Sequence, residues 1–201
     1  MRPSDARDEH PAATPETHVV GPDSIKGLAH PMRLRLMAEL SVRGSATASQ
    51  LAAVLGESSG ATSYHLRQLN RHGFVEEDRE QGTARERVWI PSRGGWTLPV
   101  FELDGDPASA SAVDLVLRAQ LRADQQRLAQ VMLRSRTWPK RWREATVRRD
   151  AHVTLNPQQL DLMRAEIDAV IDRYRETQPG KDARRVSVVY SLTPTEHEAD
   201  T

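Results

Sequence analysis

Three glycines, Gly44, Gly56 and Gly73, cut the stretch from His30 to Phe74 into short pieces, and their spacing constrains the fold more than any other feature. Each piece carries apolar residues at helical intervals. Pro31 favours the first turn of a helix, and Met32, Leu34, Leu36, Met37 and Leu40 give that helix more than one buried face. Residues 41–46, with Gly44, form a break. Thr47-Ala48-Ser49-Gln50 has the form of a capping box, in which the threonine oxygen and the glutamine amide satisfy the first free N–H groups. Leu51, Val54 and Leu55 make the apolar side of the short helix that follows, and Gly56 ends it. Ser58 can cap a third helix running to about His72, with Leu66 and Leu69 inward and Gly73 as its terminator. Two short helices around a tight glycine-containing turn make a helix-turn-helix pattern.

Phe74–Asp78 and Arg85–Ile90 then read as strands joined by the polar connection 79–84, so a hairpin, or wing, follows the helix-turn-helix directly. Upstream, Asp23 can cap a helix carrying Ile25, Leu28 and Ala29. Residues 1–22 hold four prolines and almost no apolar periodicity. Beyond Pro91, Trp96–Leu103 reads as a strand or an extended linker. Pro107 opens a long amphipathic helix to about Ser135, with Val113, Leu117, Leu121, Leu128 and Met132 along one side. Ala145–Leu155 alternates in part, as a strand would. Asn156-Pro157 is a strong helix start, Leu160 to Tyr174 continue it, and Arg185–Leu192 is β-branched enough for a strand. The expected fold class is α+β. It divides into a disordered arm (1–22), a winged helix-turn-helix (23–92), a linker and dimerisation helix (93–137), a small α/β unit (138–192) and a disordered tail (193–201).

Composition narrows the function classes. The chain of 201 residues is 28% charged, with a mean hydropathy of −0.62 and no apolar run of membrane-spanning length. Its first residues lack the apolar core of a signal peptide, so a cytoplasmic protein with no membrane partner is expected. Zero cysteines remove disulfides, thiolate metal sites and cysteine nucleophiles together. No two histidines stand at ligand spacing, and no phosphate loop, nucleophile elbow or carboxylate pair is present. No metal, no cofactor and no catalysis are therefore expected. Net charge is zero, with acidic ends and a modestly basic stretch between Ile25 and Arg93. Such a balance permits DNA binding without requiring it, because the distribution of charge decides.

A helix that reads DNA needs small or polar residues outward and apolar ones behind. Around Leu66 and Leu69 the outward positions are Ser59, Gly60, Ser63, Tyr64 and Arg67, with Ser58 at the cap. Gly60 costs roughly 1 kcal/mol of helix stability against alanine, but lets the backbone approach a groove. Arg67 suits a guanine edge or a phosphate. Arg79, Thr83, Arg85 and Arg87 lie on or beside the wing, where arginines grip phosphates or enter the minor groove. The plain alternatives are an ordinary solvated helix, and a hairpin whose arginines pair with Glu76, Glu77, Asp78, Glu80 and Glu86.

Four stretches resemble, in order, the ArsR-type winged-helix repressors. They are Leu28-Ala29-His30-Pro31-Met32-Arg33-Leu34-Arg35-Leu36-Met37; Ser49-Gln50-Leu51-Ala52 with Leu55-Gly56; Thr62-Ser63-Tyr64-His65-Leu66-Arg67-Gln68-Leu69; and Gly73-Phe74-Val75-Glu76. The resemblance covers residues 24–91 without a gap. It implies that Ser59, Gly60, Ser63, Tyr64 and Arg67 face DNA, that His65 lies near the phosphate backbone, and that a homodimer reads a partly palindromic operator in double-stranded DNA. Thiolate-sensing members carry cysteines in the helix before the recognition helix, whereas residues 46–55 hold none. Other members bind metal through Asp and His on the dimer helix, which here holds Asp114 and Asp124 but no histidine. The extra length after Pro91 resembles longer regulators common in actinobacteria, with an added small α/β unit.

Residues 134–149 carry Arg134, Arg136, Lys140, Arg141, Arg143, Arg148 and Arg149 against Glu144, with Trp138 and Trp142 between. Trp138, Trp142 and Arg141 read as the wall of a pocket for an acidic or aromatic small-molecule effector. The segment also reads as auxiliary phosphate contacts, or as two packed tryptophans with arginines on the wet side. The expected function is a sequence-specific, homodimeric DNA-binding transcriptional repressor that answers an unidentified signal. Two other readings stand beside it. One is a winged-helix module that contacts protein, against which the small polar outward side of the third helix speaks. The other is a ligand-free repressor whose dimer loosens on heat or stress.

Overall fold

The computed structural model describes residues 17–82, 86–103 and 106–195, which fall into two units, one ending at Thr146 and one starting at Val147. The first unit opens with strand β1 (His18–Val19) and helices α1 (Pro22–Leu28) and α2 (Pro31–Arg43). Pro22 and Pro31 both sit at the first helical position, where a missing N–H costs nothing. His30 caps α2, its Nδ1 accepting from the Met32 N–H at 3.1 Å. Gly21, not the expected Asp23, precedes α1; Asp23 lies in the first turn, where a carboxylate suits the helix dipole.

Helix α3 (Ala48–Leu55) starts from the expected capping box. Thr47 Oγ1 accepts from the Gln50 N–H at 3.2 Å, and Gln50 Oε1 accepts from the Thr47 N–H at 2.9 Å. Gly56 closes α3 at φ +69°, a left-handed conformation that glycine adopts without strain. Ser58 caps α4 (Ser59–Arg71), and Gly73, at φ +79°, turns the chain into β3 (Val75–Asp78). Strand β3 pairs antiparallel with β4 (Val88–Pro91), from Val75 opposite Pro91 to Asp78 opposite Val88. The other edge of β4 takes β2 (Ala46–Thr47), which lies partly in the stretch expected to be a break. A two-residue strand has no period to read; the free edge of β4 recruits it.

Ile25, Leu28, Leu36, Leu40, Leu51, Leu66, Leu69 and Phe74 are fully buried and join α1 to α4 in one core. Burying a large aliphatic side chain is worth about 1.5–3 kcal/mol, so Leu66 and Leu69 decide which side of α4 turns inward. Helix α5 (Pro107–Arg134) extends this core through Ala112, Val113 and Val116. Asp106 caps it, accepting from the Ala108 and Ser109 N–H groups at 3.3 and 3.2 Å, and pairs with Lys26 of α1 at 2.6 Å. Beyond Leu117 the helix turns apolar side chains to solvent, Leu121 at 62% and Met132 at 68% exposure. A 3-10 turn (Ser135–Thr137) and α6 (Lys140–Ala145) complete the unit, so residues 138–145 belong here and not to the C-terminal unit expected to contain them.

Residues 17–22, expected in a disordered arm, fold onto this unit instead. His18 and Val19 run parallel to β5 (Trp96–Thr97), and Val20 is fully buried. The pairing partner lies far along the chain, so no local pattern announces it. Residues 96–103, open between strand and linker, form β5 and then a 3-10 turn at Val100–Leu103. The rest of the expected arm, residues 1–16, lies outside the described residues, as do 196–201 of the expected tail.

The second unit holds α7 (Pro157–Arg175), opened by a capping box between Asn156 and Gln159 at 2.9 Å in both directions. The strands expected over Ala145–Leu155 and Arg185–Leu192 do not form among the described residues, where Val147, Val153, Val186, Val188 and Val189 are exposed. A β-branched run favours extended backbone, but a strand also needs a neighbour to take its N–H and C=O groups. The Tyr190 hydroxyl instead donates to Asp168 of α7 at 2.5 Å, and burial with this bond pushes its pKa up to about 12. Helices with two small sheets put the described residues in the α+β class. No helix among them is long and apolar enough to cross a membrane.

Candidate nucleic-acid interface

With Thr62, Leu66 and Leu69 buried, α4 turns Ser59, Gly60, Tyr64 and Arg67 to solvent, with Ser58 exposed at the cap and Ser63 half-buried. A β-carbon on Gly60 would meet nothing within 4 Å, so the helix start is open to an incoming backbone. Beside it lies a cleft of about 260 Å³ lined by Ser49, Ser59, Ser63, Arg67, Glu86 and Arg87. The Ser49 and Ser59 hydroxyls meet at 3.4 Å across the mouth of the α3–α4 turn. Arg35 of α2 braces the same turn, donating from Nη2 to the Leu55 carbonyl at 2.8 Å and lying 3.8 Å from the Glu57 carboxylate.

On the wing, Arg79 is exposed at the head of the connection, while Arg87 pairs with Glu77 at 3.4 Å across the strands. Arg93 pairs with Glu76 at 3.2 Å. Thr83 and Arg85 lie outside the described residues. Asp78 is an anchor of the wing's turn that the strand pattern conceals. It is buried, and its Oδ1 accepts from the Glu80 and Gln81 N–H groups at 3.1 and 3.3 Å, while Oδ2 accepts from Gln81 Nε2 at 3.0 Å. An aspartate at the end of a strand, bonding to the backbone two residues on, is the usual aspartate turn signal.

His65 is set apart from the outward residues. Its ring stacks on His30 of α2 with centroids 4.6 Å apart, and its Nδ1 is buried without a hydrogen-bond partner. Burial lowers its pKa, and the nearby His30 and Arg33 lower it further against the opposing pull of Glu57. His72, two turns further along α4, is likewise lowered by burial and by Arg33, Arg71 and His18, with Asp23 opposing. The side of α4 facing α1 and α2 thus carries two imidazoles favoured neutral, with the Arg33 guanidinium near both. The spacing of seven residues between them is the sequence signal for this second face.

Trp138 and Trp142 are half-buried and Arg141 is exposed; none of the three lines the cleft at α4. Among the described residues no three His, Asp or Glu side chains come together as metal ligands.

Residues 28–78 match a family model described as a helix-turn-helix domain. Among solved structures, the chain is similar to HlyU from Vibrio cholerae, at 20% identity over 48% of this chain and 89% of that one, with a TM-score of 0.31. It is similar to the antimony-specific transcriptional repressor AntR, at 23% identity over 51% and 78%, with a TM-score of 0.33. It is also similar to the transcriptional repressor PagR of Bacillus anthracis, at 19% identity over 47% and 88%, with a TM-score of 0.31. No curated protein matches. With its capped turn between α3 and α4 and the hairpin that follows, this stretch is a helix-turn-helix domain that carries a wing.

Proposed function

We propose that the chain is a homodimeric repressor that reads a partly palindromic operator through α4 and steadies itself on flanking phosphates through the wing. The outward side of α4 carries this reading: Ser59, Gly60, Ser63, Tyr64 and Arg67 present a small, polar, arginine-bearing surface beside an open cleft. Arg67 reads a base edge, the serine hydroxyls and Tyr64 bond to phosphates or base edges, and Arg79 with Arg85 and Thr83 holds the backbone. Phosphate contacts supply affinity by releasing counterions, and base contacts select the sequence. His65 acts from behind, fixing the seat of α4 on α2.

The dimer is supported by α5, whose Leu121, Leu128 and Met132 stand exposed at helical spacing along one side. The α5 helix of a second copy covers that stripe and sets the distance between the two recognition helices. Repression follows from occupying the promoter. A signal acts by binding the DNA-competent and incompetent spacings with different affinity.

Selection of genomic fragments on the purified protein, followed by light scattering with and without the selected duplex, tests the reading. Enriched fragments sharing an inverted repeat, bound by a dimer, are the expected result. A monomer that enriches no sequence over input overturns it.

A further inference from the structure

Several exposed arginines here are matched with a carboxylate. Arg35 has Glu57, Arg43 has Glu39, Arg87 has Glu77, Arg93 has Glu76, Arg118 has Asp114 and Arg175 has Asp172. Isolated residues such as Arg122 and Arg185 escape this pattern, as does the pair Arg148 and Arg149 of the second unit. Within the first unit, unmatched exposed arginines gather in two places. One is the surface already assigned to DNA, with Arg67 and Arg79, together with Arg71 at the end of α4. The other is the end of α5 and the turn into α6, where Arg134, Arg136 and Arg143 are exposed and have no carboxylate partner among the described residues.

Local acids cannot neutralise this second group. Residues 134–146 hold five cations against Glu144, and Glu144 lies 3.5 Å from Lys140. The segment is nonetheless folded. Thr137 Oγ1 donates to the Arg134 carbonyl at 2.8 Å, Thr146 Oγ1 donates to the Trp142 carbonyl at 2.7 Å, and Trp138 and Trp142 are half-buried beneath the charges. Cations held together on a fixed scaffold repel one another until an anion joins them. The three arginines stand open to solvent, so a small anion would find no enclosing walls. A polymer that brings several phosphates at once fits better, and the domain carrying the segment already presents the same signature on α4.

We propose that the segment from Arg134 to Thr146 is a second contact for duplex DNA, gripping phosphates outside the base pairs that lie under α4. The proposal rests on the DNA-binding reading of α4. Val116 is the last buried residue of α5, and the eighteen residues from there to Arg134 span about 27 Å at the α-helical rise. A contact at that distance from the core needs DNA that extends past the recognition site.

Fluorescence anisotropy on the full chain tests this with random-sequence duplexes of about two and about four helical turns, each over a salt series. Three proteins are compared with the parent: Arg134→Ala with Arg136→Ala and Arg143→Ala, the matching triple change to Lys, and Arg79→Ala. On the longer duplex the triple alanine variant should bind about tenfold or more weakly, with a slope of log K against log salt shallower by about three. On the shorter duplex it should match the parent more closely, the lysine variant should keep the slope, and all melting temperatures should agree. A parental slope in the triple alanine variant on the longer duplex, with Arg79→Ala weakened, overturns this contact alone. A parent that binds neither duplex at low salt overturns the reading of α4 and this proposal with it.

Discussion

The imidazole of His72 occupies the space that Gly27 leaves free: a β-carbon on residue 27 would stand 2.4 Å from the ring. The end of α4 thus rests directly on α1, the helix that also packs on α5 and pairs with Asp106 through Lys26. Movement of α5 relative to α1 therefore has a short mechanical route to α4.

Gly27→Ala should destabilise the first unit by about 1–3 kcal/mol, the usual cost of forcing extra volume into a packed site. His72→Ala placed in the Gly27→Ala background should recover part of that loss, because it removes the atoms that clash. Urea unfolding of the two single variants and the double variant measures the coupling. Additive losses would mean that the ring swings aside freely.

Acid should weaken the fold through His65 and His72. Both have pKa values lowered by burial from the ordinary 6.5, so the unfolded chain takes up protons before the folded one does. Their contribution is complete above about pH 6.5 and is lost as pH falls through that value towards the folded-state pKa. Thermal melting between about pH 7.5 and about pH 5 should show a drop that shrinks when both are replaced by glutamine. An unchanged drop in the double variant would place the acid sensitivity elsewhere.

Arg67 and Arg79 should fail in different ways. Arg67→Ala should cost about 1–3 kcal/mol on the selected operator and narrow the gap to random DNA, as loss of a base contact does. Arg79→Ala should weaken both duplexes alike and make the salt slope shallower by about one. Titration of each variant against both duplexes separates the two. Equal losses on operator and random DNA for Arg67→Ala would assign it to phosphate.

Asp78→Ala removes the acceptor of three hydrogen bonds at the start of the wing. A loss of about 1–3 kcal/mol is expected from the donors left behind, together with faster amide exchange at Glu80 and Gln81. Asp78→Asn keeps one carbonyl oxygen and should fall between. If exchange at those two amides stays slow, Asp78 does not hold the turn.

The helix-turn-helix was legible because its signals are local. Thr47 with Gln50, Gly56, Ser58 and Gly73 each act within a few residues, and the structure uses all of them. What stayed hidden depends on partners remote in sequence. Strand β2 exists because β4 offers an edge, and the turn of His65 towards His30 depends on how α2 crosses α4. The β-branched runs after Ala145 show the opposite case, a local preference for extended chain that finds no ladder among the described residues. Around α4, polarity told which residues look outward, but the pairing of Arg87 with Glu77 is set by cross-strand register.

The parallel pairing of His18 with Trp96 has one more consequence. It moors the entry of the winged domain to its exit, since Trp96 and Thr97 lie just before the turn that leads to α5. A dye placed at Thr17 is therefore held beside the start of β5, ahead of the turn that leads to α5. A tether pulled from that point and from α5 would load β1 against β5 in shear, leaving the seat of α4 outside the line of force.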